Sequence, residues 1–333
     1  MSTRPLFVAH DVGDLFNALP TIVGFVPHES VVAIATHGAR HRFGFRMRVD
    51  LPGDASTADD VARFVVTHLH ARGADGAIVL ALSERTDLAA TVVRAIEGEL
   101  LHGIVPPVVT AWSDGARTWT TRPDQDPAGD PFVADPHHPS VVAAVVAGQE
   151  VLPDRAALEA RWAPTTGERR AWLEASLDEV ALDVAARVAR LGPLRASVEG
   201  LQHVDDVLDD AHHGVAVDDG DLLRLCVWLS LHEVRDHVWE ELPHLDPHEA
   251  LAAWLPLARR APAPFDAVPY TVAACAAYLA GDGAQASMGL DRALAADPGY
   301  AMARTLEAAL ASGIDPDRLR LGMIGRAAPS ARP

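Results

Sequence analysis

The feature that most constrains the fold is a change of period. As far as Thr121, short β-branched runs alternate with helix-like stretches. Beyond Pro139 the apolar residues recur only at helical spacing. In the first half, SVVAIAT (30–36) and RHRFGFRMRVDL (40–51) predict a hairpin around Gly38. STADDVARFVVTHLHARG (56–73) predicts a helix capped by Ser56 or Thr57, GAIVLALS (76–83) a strand covered on both faces, and TDLAATVVRAIEGELLHG (86–103) a second helix. PVVTAWS and ARTWTT flank Asp114-Gly115, a strong hairpin signal. The expectation is an α/β unit over 1–150, a sandwich on a mixed sheet of about five strands. An all-helical acidic unit follows over 151–333, α+β for the chain as a whole. Residues 122–139, with five prolines, predict an ordered loop or a seam.

After Pro139 helices are expected near 140–148, 153–161, 167–191, 194–211, 221–241, 247–259, 267–280, 284–296, 299–312 and 315–324, separated by Gly or Pro breaks. Tyr270, Ala286, Leu290, Ala293 and Pro298 follow a tetratricopeptide-like rhythm. One such unit is too few for a solenoid, so a local helical hairpin is expected.

With 333 residues the chain is long enough for two cores, and 49% hydrophobic against 22% charged residues is a globular balance. The N-terminus carries no secretory signature and no apolar run approaches a bilayer's thickness, so a cytoplasmic address without membrane contact is expected. Cys226 and Cys275 lie in apolar helical segments and are expected as buried free thiols. There is no lysine, which excludes a P-loop lysine, a pyridoxal Schiff base and a lysine general base. The net charge is −18, and residues 201–333 hold ten arginines against twenty carboxylates. Such a surface repels nucleic acid, which is not expected as a partner.

Local chemistry is sparse. Period-two alternation places Arg40, Arg42, Arg46 and Arg48 on one face of strand 40–49, with Gly44 leaving room for a backbone or a ligand, and Asp50 at its end. Such a row suits phosphates or carboxylates; it equally suits a solvated face balanced by acids. In SLHEVRDHVW (230–239), His232 and His237 are five apart and miss the four-residue zincin spacing. The pairs His232 with Asp236 and Glu233 with His237 remain, as two-ligand fragments or surface ion pairs. Asp205 with Asp209, and Asp206 with Asp210, precede His212 and His213 on another helix, and the spacing fits no calcium loop. No G-x-S-x-G or G-x-G-x-x-G occurs, Trp112 and Trp119 are expected to pack across a hairpin, and neither a complete catalytic constellation nor a cofactor is expected.

ALPTIVGFVPHESVVAIA (18–35), FRMRVDLP (45–52), GADGAIVLAL (73–82), HHPSVVAAVVAGQEVLPDRAALEARWAP (137–164) and GLDRALAADPGYAMARTLEAAL (289–310) closely resemble the actinobacterial domain of unknown function 4192 family, most specifically at Gly24, Phe25, Pro27, Ser30, Arg48, Asp50, Leu51 and Pro52. The resemblance implies no activity. Relatives often carry cysteines after the Trp-rich hairpin, a set that could hold a metal; WTTRPDQDPAGDP here has none. Two functions stay open. One is a regulatory or accessory protein that contacts a protein partner through its helices. The other is a module or enzyme for a small anionic ligand at the arginine strand.

Overall fold

The computed structural model describes residues 8–146 and 150–327. The chain divides into two compact units, Met1–Leu158 and Glu159–Pro333. Among the described residues no helix is long and apolar enough to cross a membrane.

The first unit opens with a helix that the apolar pattern did not announce, α1 (Val12–Val23), because Pro20 interrupts it. Its ends are well specified. The Asp11 carboxylate accepts from the Asp14 amide, and Gly24, at φ +86°, closes the helix in a left-handed conformation that a side chain would resist. There follow β1 (Ser30–His37), β2 (Arg42–Asp50), α2 (Ala58–Ala71), β3 (Gly76–Leu82), α3 (Thr86–His102), β4 (Pro107–Ser113) and β5 (Arg117–Thr120). A two-residue strand, β6 (Asp130–Pro131), comes out of the proline-rich stretch expected to be loop, so the sheet has six strands. Two residues carry no readable alternation.

The sheet runs β2-β1-β3-β4-β5-β6; β3 and β4 pair parallel and the other neighbours antiparallel. Helices α2 and α3 cover one face, burying Val65, Leu69, Val93 and Ile96 against Val31, Ala33, Val79 and Ala81. On the other face Leu15, Phe16 and Leu19 of α1 pack against Val32, Ile34, Ile78, Leu80 and Ala111. Burial on both faces explains why β1 and β3 read as unbroken apolar runs. Trp112 stands directly opposite Trp119 with ring centroids 6.3 Å apart and planes 9° from parallel, the expected cross-strand packing.

Helices α4 (Pro139–Val146) and α5 (Arg155–Arg161) precede the second unit's α6 (Glu168–Leu191), α7 (Pro193–His212), α8 (Asp219–Trp228), α9 (His232–Glu241), α10 (Pro247–Arg260), α11 (Ala267–Leu279), α12 (Gly283–Ala296), α13 (Ala301–Ala311) and α14 (Pro316–Ala327). The single helix expected over 221–241 is two. The chain breaks at Leu229–Leu231, letting Trp228 and Val234 close on Gly200 of α7, where even a methyl group would meet them at about 3 Å. Helices α11 and α12 form the expected hairpin, and every residue of α11 but Val268 is buried. Cys226 and Cys275 are free and buried, and burial pushes each thiol up to about 12, which makes both inert at neutral pH.

Candidate anion site at the loop end of the sheet

The expected arginine row does not exist as one face. Strand β1 keeps a constant register with β3, so its alternation is unbroken. Against β2 the register slips between Ile34 and Thr36, so Gly44 and Phe45 together oppose Ala35 in a β-bulge. Directly opposed residues share a face. Arg46 opposes Ile34 and Arg48 opposes Val32, on the α1 face; Arg42 opposes His37, on the α2–α3 face. Arg40 lies outside the strand, in the exposed turn before it. One extra residue flips everything before it. The space at Gly44 is taken by the molecule itself, since a Cβ there would meet the His37 ring at 2.4 Å.

What the fold does bring together is one end of the sheet, where β1 begins and β2 and β3 end. The Arg48 side chain is only 11% exposed. Its guanidinium lies over the Phe25 ring, 5.7 Å from the centroid, and its Nη2 donates to Asp50 Oδ1 at 2.5 Å and to the His28 carbonyl at 3.4 Å. Asp50 therefore engages one tooth of the fork and stays 71% exposed. The adjacent Nε is buried and has no acceptor among the described residues. Ser30, fully buried, stands opposite Asp50 and diagonal to Arg48 on the same face, and its Oγ is also without a partner among the described residues. Two orphaned polar groups on one face are costly. A buried hydroxyl without a partner costs roughly 1–3 kcal/mol, and a charged donor more.

A carboxylate already fills the neighbouring turn between β3 and α3. Glu29 adopts φ +44°, a conformation that costs a residue with a side chain about 1 kcal/mol. It thereby delivers Oε1 to the Ser83 hydroxyl (2.8 Å) and the Glu84 amide (3.2 Å), and Oε2 to Arg85 Nε (2.7 Å). Burial alone would raise its pKa; the bonds from Ser83 and Arg85, the Arg85 charge and the Glu84 amide outweigh burial and hold it below the usual carboxylate range. Arg85 also donates to the carbonyls of Pro52 and Gly53. A cavity of about 300 Å³ lies beside it, lined by Gly53, Asp54, Arg85, Asp87, Leu88 and Thr91.

A serine, a histidine and an aspartate also meet in this unit, a constellation invisible in the sequence because Asp14 lies 124 residues from His138. His138 Nδ1 is 2.8 Å from Ser140 Oγ, and its Nε2 is 3.2 Å from Asp14 Oδ1. Yet Ser140 is buried, and the amides of Val141 and Val142, which would serve an oxyanion, bond the His138 carbonyl. The Ser140 amide approaches the same Nδ1 at 3.4 Å, so the imidazole caps α4 and ties it to α1.

In the helical unit, His232 and Asp236 lie on α9, where Arg235 approaches Asp236 at 3.8 Å, and His237 pairs with Asp205 of α7 at 3.2 Å rather than with Glu233. Asp206 lines a second cavity of about 300 Å³ with Arg187, Glu199, His203 and Arg224; Asp210 is exposed on α7. Among the described residues no three His, Cys, Asp or Glu side chains gather as a metal centre.

The positions that carried the family resemblance surround the Arg48 end of the sheet: Phe25 under the guanidinium, Ser30 and Asp50 beside it, Leu51 bonded to Glu29 and Pro52 to Arg85. No curated protein and no solved structure matches the chain. A family model described as a domain of unknown function, DUF4192, matches residues 13–317, nearly the whole length, and the chain belongs to that family.

Proposed function

We propose that the first unit binds a small carboxylate- or phosphate-bearing ligand at Arg48 and Ser30. The observation that carries this reading is the half-used guanidinium. An incoming anion that bridges Nε and Nη2 makes the forked pair that Asp50 leaves incomplete, on the face of the sheet that also carries the Ser30 hydroxyl as a further donor. The exposed Asp50 is free to swing into solvent as the ligand replaces it. Thermal unfolding against a panel of carboxylates, phosphorylated metabolites and nucleotides tests the reading, since a ligand at 100 times its Kd adds about 2.7 kcal/mol. Arg48→Lys keeps a charge but loses the fork, and must abolish the shift. A flat panel, or an equal shift in the variant, refutes the proposal.

A protein partner for the helical unit is the second reading, favoured by Trp172 (50% exposed) and Leu182 (72% exposed) on α6. Ten residues apart, they fall within about 80° of each other at helical pitch. The acidity of the unit suits an amphipathic helix with basic flanks. Trp172→Glu with Leu182→Glu must abolish binding of such a peptide at native salt; unchanged binding excludes this face.

A further inference from the structure

Strand β2 is an edge. Among the described residues it pairs with β1 alone. The phase of its backbone follows from one bond: the Leu51 amide donates to the Glu29 carbonyl at 2.8 Å. In an antiparallel pair, alternate residues turn their amide and carbonyl toward the partner. Leu51, Val49 and Met47 therefore point theirs at β1. Arg46, Arg48 and Asp50 point theirs outward, to the open edge. The bulge at Gly44 and Phe45 ends the regular stretch, which leaves a short, regularly paired template.

We infer that this edge takes up an extended segment of a partner protein, added as a seventh strand, in which acidic residues alternate with β-branched apolar ones. Each half of that pattern answers a face of β2. On the α1 face an added strand meets Arg46 and Arg48, which favour Asp or Glu directly opposite, and at its end Asp50, which is paired with Arg48. On the other face it meets Met47 and Val49, partly buried against the α2–α3 core, which favour Val or Ile. Backbone bonds at the open edge supply affinity, and the two faces supply selectivity. Arginine on an edge also repels basic and unselected strands, so the same residues that admit an acidic segment exclude others. This inference shares Arg48 with the small-ligand reading, but its affinity rests on the outward backbone and not on the orphaned atoms, so Ser30→Ala separates the two.

A fluorescent peptide of about seven residues alternating Val and Glu, titrated into the full chain and followed by anisotropy, tests it. Binding is expected to weaken as salt screens the arginines. It should fall at least about fivefold with Arg46→Glu and survive Ser30→Ala. N-methylating the peptide amides on one alternate set must abolish binding, while the other set is tolerated. Absence of binding, equal binding of a Val-Lys peptide, or indifference to both methylation patterns overturns the inference. So does a concentration-dependent dimer in sedimentation that Arg46→Glu dissociates, which assigns the edge to a second copy.

Discussion

Replacing Ser30 by alanine separates a site waiting for a partner from an ordinary buried serine. Most buried hydroxyls are hydrogen-bonded, and removing one leaves its partner unsatisfied at a cost of roughly 1–3 kcal/mol. The Ser30 hydroxyl, fully buried between Asp50 of β2 and Leu82 of β3, has no partner among the described residues. Its deletion returns the desolvation cost and opens a void of a single atom, so Ser30→Ala is expected to stabilise the first unit by about 1 kcal/mol. For a unit of this size that raises Tm by about 2–4 °C. Because a two-unit chain need not unfold in one step, hydrogen exchange of peptides from β1 is the direct assay, and protection at Val32 and Ile34 should rise. The same variant should bind an anion at Arg48 less tightly. A loss of 1 kcal/mol or more refutes the reasoning, because it means that the hydroxyl is bonded when no ligand is present.

Acid should act on the same unit. Glu29 and Asp14 both have pKa values below those of free carboxylates. For Glu29 the bonds from Ser83 and Arg85 outweigh burial; for Asp14 the His10 amide is the largest cause, ahead of burial and His138. A depressed carboxylate contributes stability above its unfolded pKa and loses it as pH falls through the folded one, so stability should decline below about pH 4. Glu29→Gln should cost about 1 kcal/mol at neutral pH, discounted for its half exposure, and the gap from wild type should close in acid; a gap independent of pH refutes the assignment. In the helical unit, Gly289→Ala gains about 1 kcal/mol of helix propensity but drives a Cβ to 2.4 Å from the Trp162 ring and 2.7 Å from Ala274 Cβ, both buried. Denaturant unfolding should show a net loss of about 2 kcal/mol, and a stabilised variant refutes the packing argument.

How far the site was legible depends on how local its signals are. The apolar runs of β1 and β3 and the helical spacing of α2 and α3 are written within a few residues, and the architecture follows from them, although Thr57, expected to cap α2, makes no side-chain bond there. Arg48 and Asp50 were readable as candidates because charge on a strand stands out. Glu29 and Arg85 were not, because Ser83 and Arg85 reach Glu29 across 54 and 56 residues and no spacing encodes that meeting. Asp14 and His138 were hidden for the same reason.

By itself the sequence determined the switch from mixed to helical architecture, the buried thiols and the family, because periodicity, burial preference and motif identity are local or additive properties. Only the tertiary structure decided that the arginines part company. The bulge at Gly44 and Phe45 is a property of how β2 registers on β1, and one slipped residue sends Arg42 to the opposite face from Arg46 and Arg48. It also decided which backbone groups of β2 face the open edge, since that depends on the partner strand and on nothing within β2 itself.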